Sequence, residues 1–181
     1  NIITETYNRE TFKNNLNIIR KLTLTTPRNF EPEMKKLCAE SGVALVFVPE
    51  FQKTHISGAT RWLTSDKALI VMSLRHKSND HFWFTFFHEA AHIILHSKKD
   101  TFIDNPGGYE SPEENEANRF SRNILIPENE YIHFIETGDF HSDKIRKFAS
   151  RIKIHPGIIV GRLQYDKYIK FSWYNDLKDK F

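Results

Sequence analysis

One cysteine, seven glycines and seven prolines are spread over 181 residues. A single cysteine cannot build an internal disulfide framework, so nothing in the chain calls for an oxidising compartment. No run approaches the roughly 20 consecutive apolar residues that a membrane-spanning helix needs. Glycine and proline are too sparse for a fibrous or low-complexity chain. Residues 1 to 6 lack a basic stretch leading into an apolar one, so they do not read as a secretory signal. The expected location is cytoplasmic, with no membrane partner. Residue 1 is Asn, not Met, which reads as a piece of a longer chain. Excess charge is also scarce: 26 Lys and Arg face 23 Asp and Glu, a formal +3. What is abundant is aromatic and imidazole, with 15 Phe and nine His. The length suits one domain, or one with a small appendage.

The periodicity predicts an α+β chain. Phe12, Leu16, Ile19 and Leu22 form one stripe of an amphipathic helix within residues 6 to 24. A second helix is expected from Pro32 to Gly42, with Met34, Leu37 and Cys38 inward. The period then changes. Residues 43 to 48, 59 to 63 and 68 to 74 read as three strands, the last two joined by a turn at residues 64 to 67. Together they predict a small antiparallel three-stranded sheet. Helical spacing returns over residues 79 to 96, with Ser78 or Asp80 as cap. Residues 97 to 110 read as a loop. Ser111, Pro112 and Glu114 form a strong helix start, with Glu114 closing a capping box. Three short helices follow Pro127, at about 128 to 136, 142 to 152 and 156 to 166. Their spacing suggests a helix-turn-helix-like segment. The expected organisation is a core over 1 to 127 and a small helical extension over 128 to 181.

The chemistry concentrates in His88-Glu89-Ala90-Ala91-His92, inside an apolar helical segment. Histidines four apart project from one helix face and can bind one Zn²⁺. Glu89 then lies beside the metal but not on it. There it can take a proton from an activated water and later give it to a leaving amine. A catalytic zinc needs a third protein ligand. A metzincin-type histidine would stand at position 98, after a glycine at 95. Those positions hold Lys98 and Leu95, so that variant is excluded. His96 is a poor third ligand, because three successive turns of one helix do not surround one tetrahedral ion. It reads as a neighbour of the site or a surface residue. A carboxylate from the next helix remains. Glu116 shares a face with Phe120 and with Asn123 or Ile124, and Ala117 beside it permits close helix approach. Glu116 is therefore the expected third ligand, in a gluzincin-like set, with Glu113 as the fallback. Glu114 is occupied in the capping box on this reading. A second electrophile could be Arg61, His96, Tyr109, Tyr131 or His155, among which the sequence does not choose. Tyr109 follows Gly107-Gly108 in what reads as a lid loop.

The run from Phe82 to His96, together with Glu116-Ala117-Asn118-Arg119-Phe120 and Ile124-Leu125-Ile126-Pro127, resembles the ImmA/IrrE family of zinc metallopeptidases. Residues 57 to 62 and 155 to 164 also look familial. The last run is similar to domains joined C-terminally to helix-turn-helix regulators of the HigA/XRE-like kind. The resemblance covers roughly residues 35 to 170. It implies His88, His92 and Glu116 as metal ligands and Glu89 as the catalytic acid and base. It also implies intracellular cleavage of helix-turn-helix repressors, or a place in a toxin–antitoxin operon. One departure is Ser121, where alanine commonly follows the phenylalanine; one small residue for another is expected to matter little. Another is that no helix-turn-helix region precedes the domain in the given sequence.

Charge is uneven along the chain. Residues 141 to 181 hold ten Lys and Arg against four Asp and Glu, a local +6, which leaves −3 for the rest. A basic three-helix segment can contact nucleic acid. Ile158, Ile159, Val160 and Leu163, however, make its last helix apolar, which argues for packing and against direct DNA binding. The leading expectation is a zinc endopeptidase acting on a protein, such as a helix-turn-helix repressor or antitoxin. The alternatives are a non-catalytic partner-binding module and a metallopeptidase toxin. The oligomeric state and the substrate are not legible.

Overall fold

A computed structural model describes residues 2–48, 57–73, 78–96, 101–103 and 111–180, with 101–103 described as backbone alone. Helix α1 (Arg9–Lys21) is capped by Asn8, whose side chain accepts from the Thr11 amide at 2.9 Å. A short 3₁₀ turn (Leu22–Leu24) leads into α2 (Pro27–Ala39). The helix thus starts five residues earlier than Pro32 suggested. Pro27 takes the favoured first position, and Pro32 sits inside the helix, past the first turn, where it cannot donate to the carbonyl of residue 28. Gly42 follows with φ of +79°, and a side chain there would run into the Tyr7 backbone.

Strands β1 (Val43–Val48), β2 (Gly58–Thr64), β3 (Lys67–Ser73) and β4 (Thr101–Ile103) form a sheet in the order β1-β3-β2-β4. This corrects the expected antiparallel three-stranded sheet. β2 and β3 are an antiparallel hairpin, but β1 pairs with β3 in parallel, Val43 facing Ala68 and Val48 facing Ser73. β4, within the stretch expected as loop, adds antiparallel to β2. The physical reason is burial. β1 and β3 are the most apolar strands, and β3 alternates buried and half-buried residues along its length. Placing β3 inside the sheet hides more of that surface than leaving it at an edge.

Helix α3 (Asn79–Leu95) lies against this sheet, with Trp83, Phe86 and Phe87 fully buried. The Trp83 ring meets Phe30 of α2 at 4.8 Å, edge to face. Helix α4 (Pro112–Leu125) packs on α3, and α5 (Glu128–Glu136), α6 (Ser142–Ile152) and α7 (Pro156–Tyr165) follow. The three short helices thus stand where the periodicity puts them. α7 packs on α3 with Ile158, Ile159, Val160 and Leu163 buried, as its apolar composition requires. One apolar cluster runs from Phe12 to Leu177, with Cys38 buried inside it as a small hydrophobe. Arg20 ties the layers together. Its guanidinium donates to the carbonyls of Ile124, Leu125 and Ile152 at 2.7 to 3.1 Å, closing the C-terminal ends of α4 and α6.

The C-terminal stretch is a packed extension. It includes a 3₁₀ turn (Asn175–Leu177), and Ser78 forms an isolated bridge with Lys180. Ser78 stands at the start of α3 without a capping side-chain bond. Instead the Asn79 amide donates to the Asp179 carbonyl at 2.9 Å, and Lys178 Nζ reaches Asp80 Oδ2 at 2.6 Å. Lys178 and Asp179 therefore secure the start of the helix that carries the histidines. Among the described residues, no helix is long and apolar enough to cross a membrane.

Candidate metal centre

Helix α3 presents His88 and His92 one turn apart, and α4 brings Glu114 against them. The two Nε2 atoms lie 3.0 Å apart, and Glu114 reaches His88 Nε2 at 3.0 Å and His92 Nε2 at 3.4 Å. Three ligands at zinc distances on a tetrahedron stand about 3.3 Å from one another, given metal–ligand bonds of about 2.0 to 2.1 Å. The separations observed fit that figure. Among the described residues, these three form a group able to hold a metal ion.

The contacts of the ring nitrogens point the same way. His88 Nδ1 lies 3.0 Å from Asn118 Oδ1, an acceptor, so His88 donates from Nδ1 and leaves a lone pair on Nε2. His92 Nδ1 meets His96 Nδ1 at 2.9 Å, and His96 Nε2 meets Glu116 Oε2 at 3.3 Å. With His92 donating to His96, a chain runs from Glu116 through His96 to His92, and the second Nε2 is also a lone pair. Two lone pairs and a carboxylate then converge, an arrangement that repels itself unless a cation lies among them. Burial, reinforced by the neighbouring His88 and His96, pushes the His92 imidazole down to about 3, so it is neutral near pH 7. Its contact with Glu114 is therefore no imidazolium–carboxylate pair. Burial pushes the Glu114 carboxyl above its ordinary range, against the lowering effect of His96.

Glu116 was expected in this group and is not there. It stands outward, with 65% of its side chain exposed, and touches His96. The inward face of α4 is Ala117, Ser121 and Leu125, with Glu114 and Asn118 on the side toward the histidines. The capping assignment hid this. Ser111 Oγ does accept from the Glu114 amide at 3.3 Å, as expected of the cap. It is the neighbouring Glu113, however, whose carboxyl the Ser111 side chain holds below its usual range. The Glu114 side chain is left for the site.

Glu89 is 1% exposed, one residue beyond His88 on α3. β2 lies directly against it. Thr60 Oγ1 donates to the Glu89 carbonyl at 3.2 Å, and a Cβ on Gly58 would stand 2.6 Å from Glu89 Oε1. Glycine at 58 is thus what lets the strand pass beside this carboxylate. Ser121, the departure expected to be neutral, is fully buried and donates to the Phe84 carbonyl at 2.8 Å, pinning α4 to α3. An alanine there cannot make that bond. Neither Gly58, Asn118 nor Ser121 was singled out as a site residue, though the Glu114–Asn118 spacing of four was a signal.

Of the candidates for a second electrophile, His96 adjoins His92. Arg61 is exposed on β2. Tyr131 donates its hydroxyl to Asp166 at 2.7 Å, and burial pushes its pKa up. His155 caps α7, accepting from the Gly157 amide at 3.1 Å. Tyr109 and the lid reading for the loop around it fall outside the described residues. No curated protein is significantly similar to the chain. The chain belongs to the M78 peptidase family, its residues 38–164 matching the IrrE N-terminal-like domain.

Proposed function

We propose that the protein is a zinc-dependent endopeptidase that cleaves a polypeptide, with His88, His92 and Glu114 as the metal ligands. The observation that carries this reading is the convergence of three lone-pair donors beside the buried carboxylate of Glu89. A zinc ion in that group supplies a Lewis acid, which lowers the pKa of water and polarises a peptide carbonyl. The protein's own residues do the rest. Glu89 accepts the proton of the attacking water and returns it to the departing amide nitrogen. β2 holds Glu89 in place through Gly58 and Thr60. Asn118 fixes the His88 tautomer, and His96 with Glu116 fixes that of His92, so that both rings offer Nε2. The substrate class follows from the family resemblance: a helix-turn-helix repressor or an antitoxin, met in the cytoplasm. A metallopeptidase toxin has the same chemistry and differs only in its target.

Two measurements test this reading. Metal analysis of the purified protein should find about one zinc per chain, consistent with one three-ligand site. Incubation with candidate repressors should then show cleavage by the wild type and none by Glu89→Gln. Equal cleavage by both proteins overturns the assigned chemistry. Retained zinc with no cleavage by either turns the reading to a partner-binding module.

A further inference from the structure

Helix α3 also places an apolar ring next to the first histidine. One turn before His88, Phe84 lies with its ring 6.1 Å from that imidazole, centroid to centroid. Phe84 also lines a cavity of about 250 Å³, built further by Leu125, Ile126, Ile158, Tyr165 and Phe171. An apolar cavity of about 150 Å³ already accepts a benzene ring, and small-molecule sites run from about 300 to 1,000 Å³. The size here fits one large side chain better than a whole metabolite.

Two features of the rim narrow the occupant. First, apolar surface continues outside the cavity: Tyr165 is 59% exposed and Phe171 72%, with Trp173 exposed further along. An occupant larger than the cavity, such as a polypeptide, covers that surface; a small acid does not. Second, the charges lining the cavity do not cancel. Arg162 is paired with Asp166, and Lys178 with Asp80. Arg122 touches Tyr165, through its hydroxyl at 3.3 Å and its ring face at 5.1 Å, and has no carboxylate partner among the described residues. One guanidinium is left over at the edge of an apolar pocket.

We propose that this cavity is a specificity pocket for the polypeptide substrate, taking one large apolar side chain while Arg122 pairs with a carboxylate beside it. The identity of the polypeptide as substrate rests on the peptidase reading, but the test needs no turnover. Zinc-supplemented, ¹⁵N-labelled Glu89→Gln protein, and metal-free wild type alongside it, are titrated with blocked tetrapeptides. The sequences are Ala-Phe-Glu-Ala, Ala-Phe-Gln-Ala and Ala-Ala-Glu-Ala, with octanoate as the free-acid arm. The Phe-Glu peptide should bind saturably and shift the amides of Phe84, Leu125 and Ile158. The Phe-Gln peptide should bind roughly tenfold more weakly, as loss of one charge-assisted contact implies. The Ala-Glu peptide should leave those amides unmoved. Arg122→Gln, a change at a partly exposed position, should abolish the preference for Glu over Gln and keep the dependence on Phe. Shifts that map elsewhere, absence of saturation, or an unchanged Glu preference in Arg122→Gln overturn the pocket. Octanoate binding more tightly than the Phe-Glu peptide overturns the polypeptide as occupant. Cleavage that depends on Glu89 without pocket binding sinks this inference alone. Pocket binding without zinc or cleavage sinks the peptidase reading alone.

Discussion

Helix α3 buries two carboxylates, one in its first turn and one past its middle, and the two are kept in different company. Asp80 is held by Lys178, a cation shared with Gln164, and a Cβ on Gly161 would collide with it. Glu89 is held against Gly58 and stands beside His88, with His92 and Glu114 beyond. At both places a glycine on another element lets the backbone close over an acid. At the first, an ammonium group neutralises the charge. At the second, Glu114 meets two histidines and, among the described residues, no lysine or arginine. A pair with its own cation is complete and serves stability. Two imidazoles and a carboxylate whose ligand atoms converge form a group able to hold a metal ion.

That contrast can be broken at several points. The largest effect is expected from Glu89→Gln, which should lower cleavage about 10²- to 10⁴-fold with zinc content unchanged, measured by product formation and metal analysis. Lys178→Met should cost about 3–5 kcal/mol in chemical denaturation, because it strands a buried acid. Adding Asp80→Asn should recover much of that loss, which a purely local packing defect would not allow. Glu114→Ala should abolish zinc retention. Glu116→Ala should weaken zinc only about 10- to 100-fold, as for a group that orients a ligand; the reverse order would return Glu116 to the ligand set. The two glycines should separate stability from activity. Gly161→Ala is expected to cost about 1–3 kcal/mol, whereas Gly58→Ala should depress turnover more than the melting temperature.

The smallest effect is a slope with pH in the metal-free protein. The His92 pKa is about 3 in the folded chain and 6.5 ordinarily. Between these values the unfolded chain binds the extra proton, so stability falls as pH drops through 6.5 toward 3. The slope is at most about 1.4 kcal/mol per pH unit for one proton. Glu114, whose carboxyl is raised, works in the opposite sense. His92→Phe should therefore flatten the acid slope in a comparison of denaturation midpoints at pH 7 and pH 5.

The helix with the paired histidines was legible because a spacing of four on an apolar helix has few other uses. The elements after Pro127 were legible from caps and periodicity. The third member of the group was not. Glu113, Glu114 and Glu116 all lie in the first turns of one helix, and which carboxylate caps it and which faces its neighbour depends on rotamers. Sequence also gave no sign that β3 would lie between β1 and β2, since pairing partners are set by where the burial is greatest. The latch of Lys178 on Asp80 joins residues 98 positions apart, and no local pattern announces it.

Helix α4 carries Glu114 toward the histidines, Asn118 to His88 and Ser121 to the Phe84 carbonyl, at steps of four and three. These parts share one helical register. A single-residue insertion or deletion between Ser111 and Glu114 would turn the helix by about 100° relative to its start. It would withdraw the proposed ligand, the orienting amide and the anchor together, or force the cap to slip instead. Engineering of this centre therefore has to treat α4 as one cassette: side chains on it can be exchanged singly, but its phase against α3 cannot be adjusted by degrees.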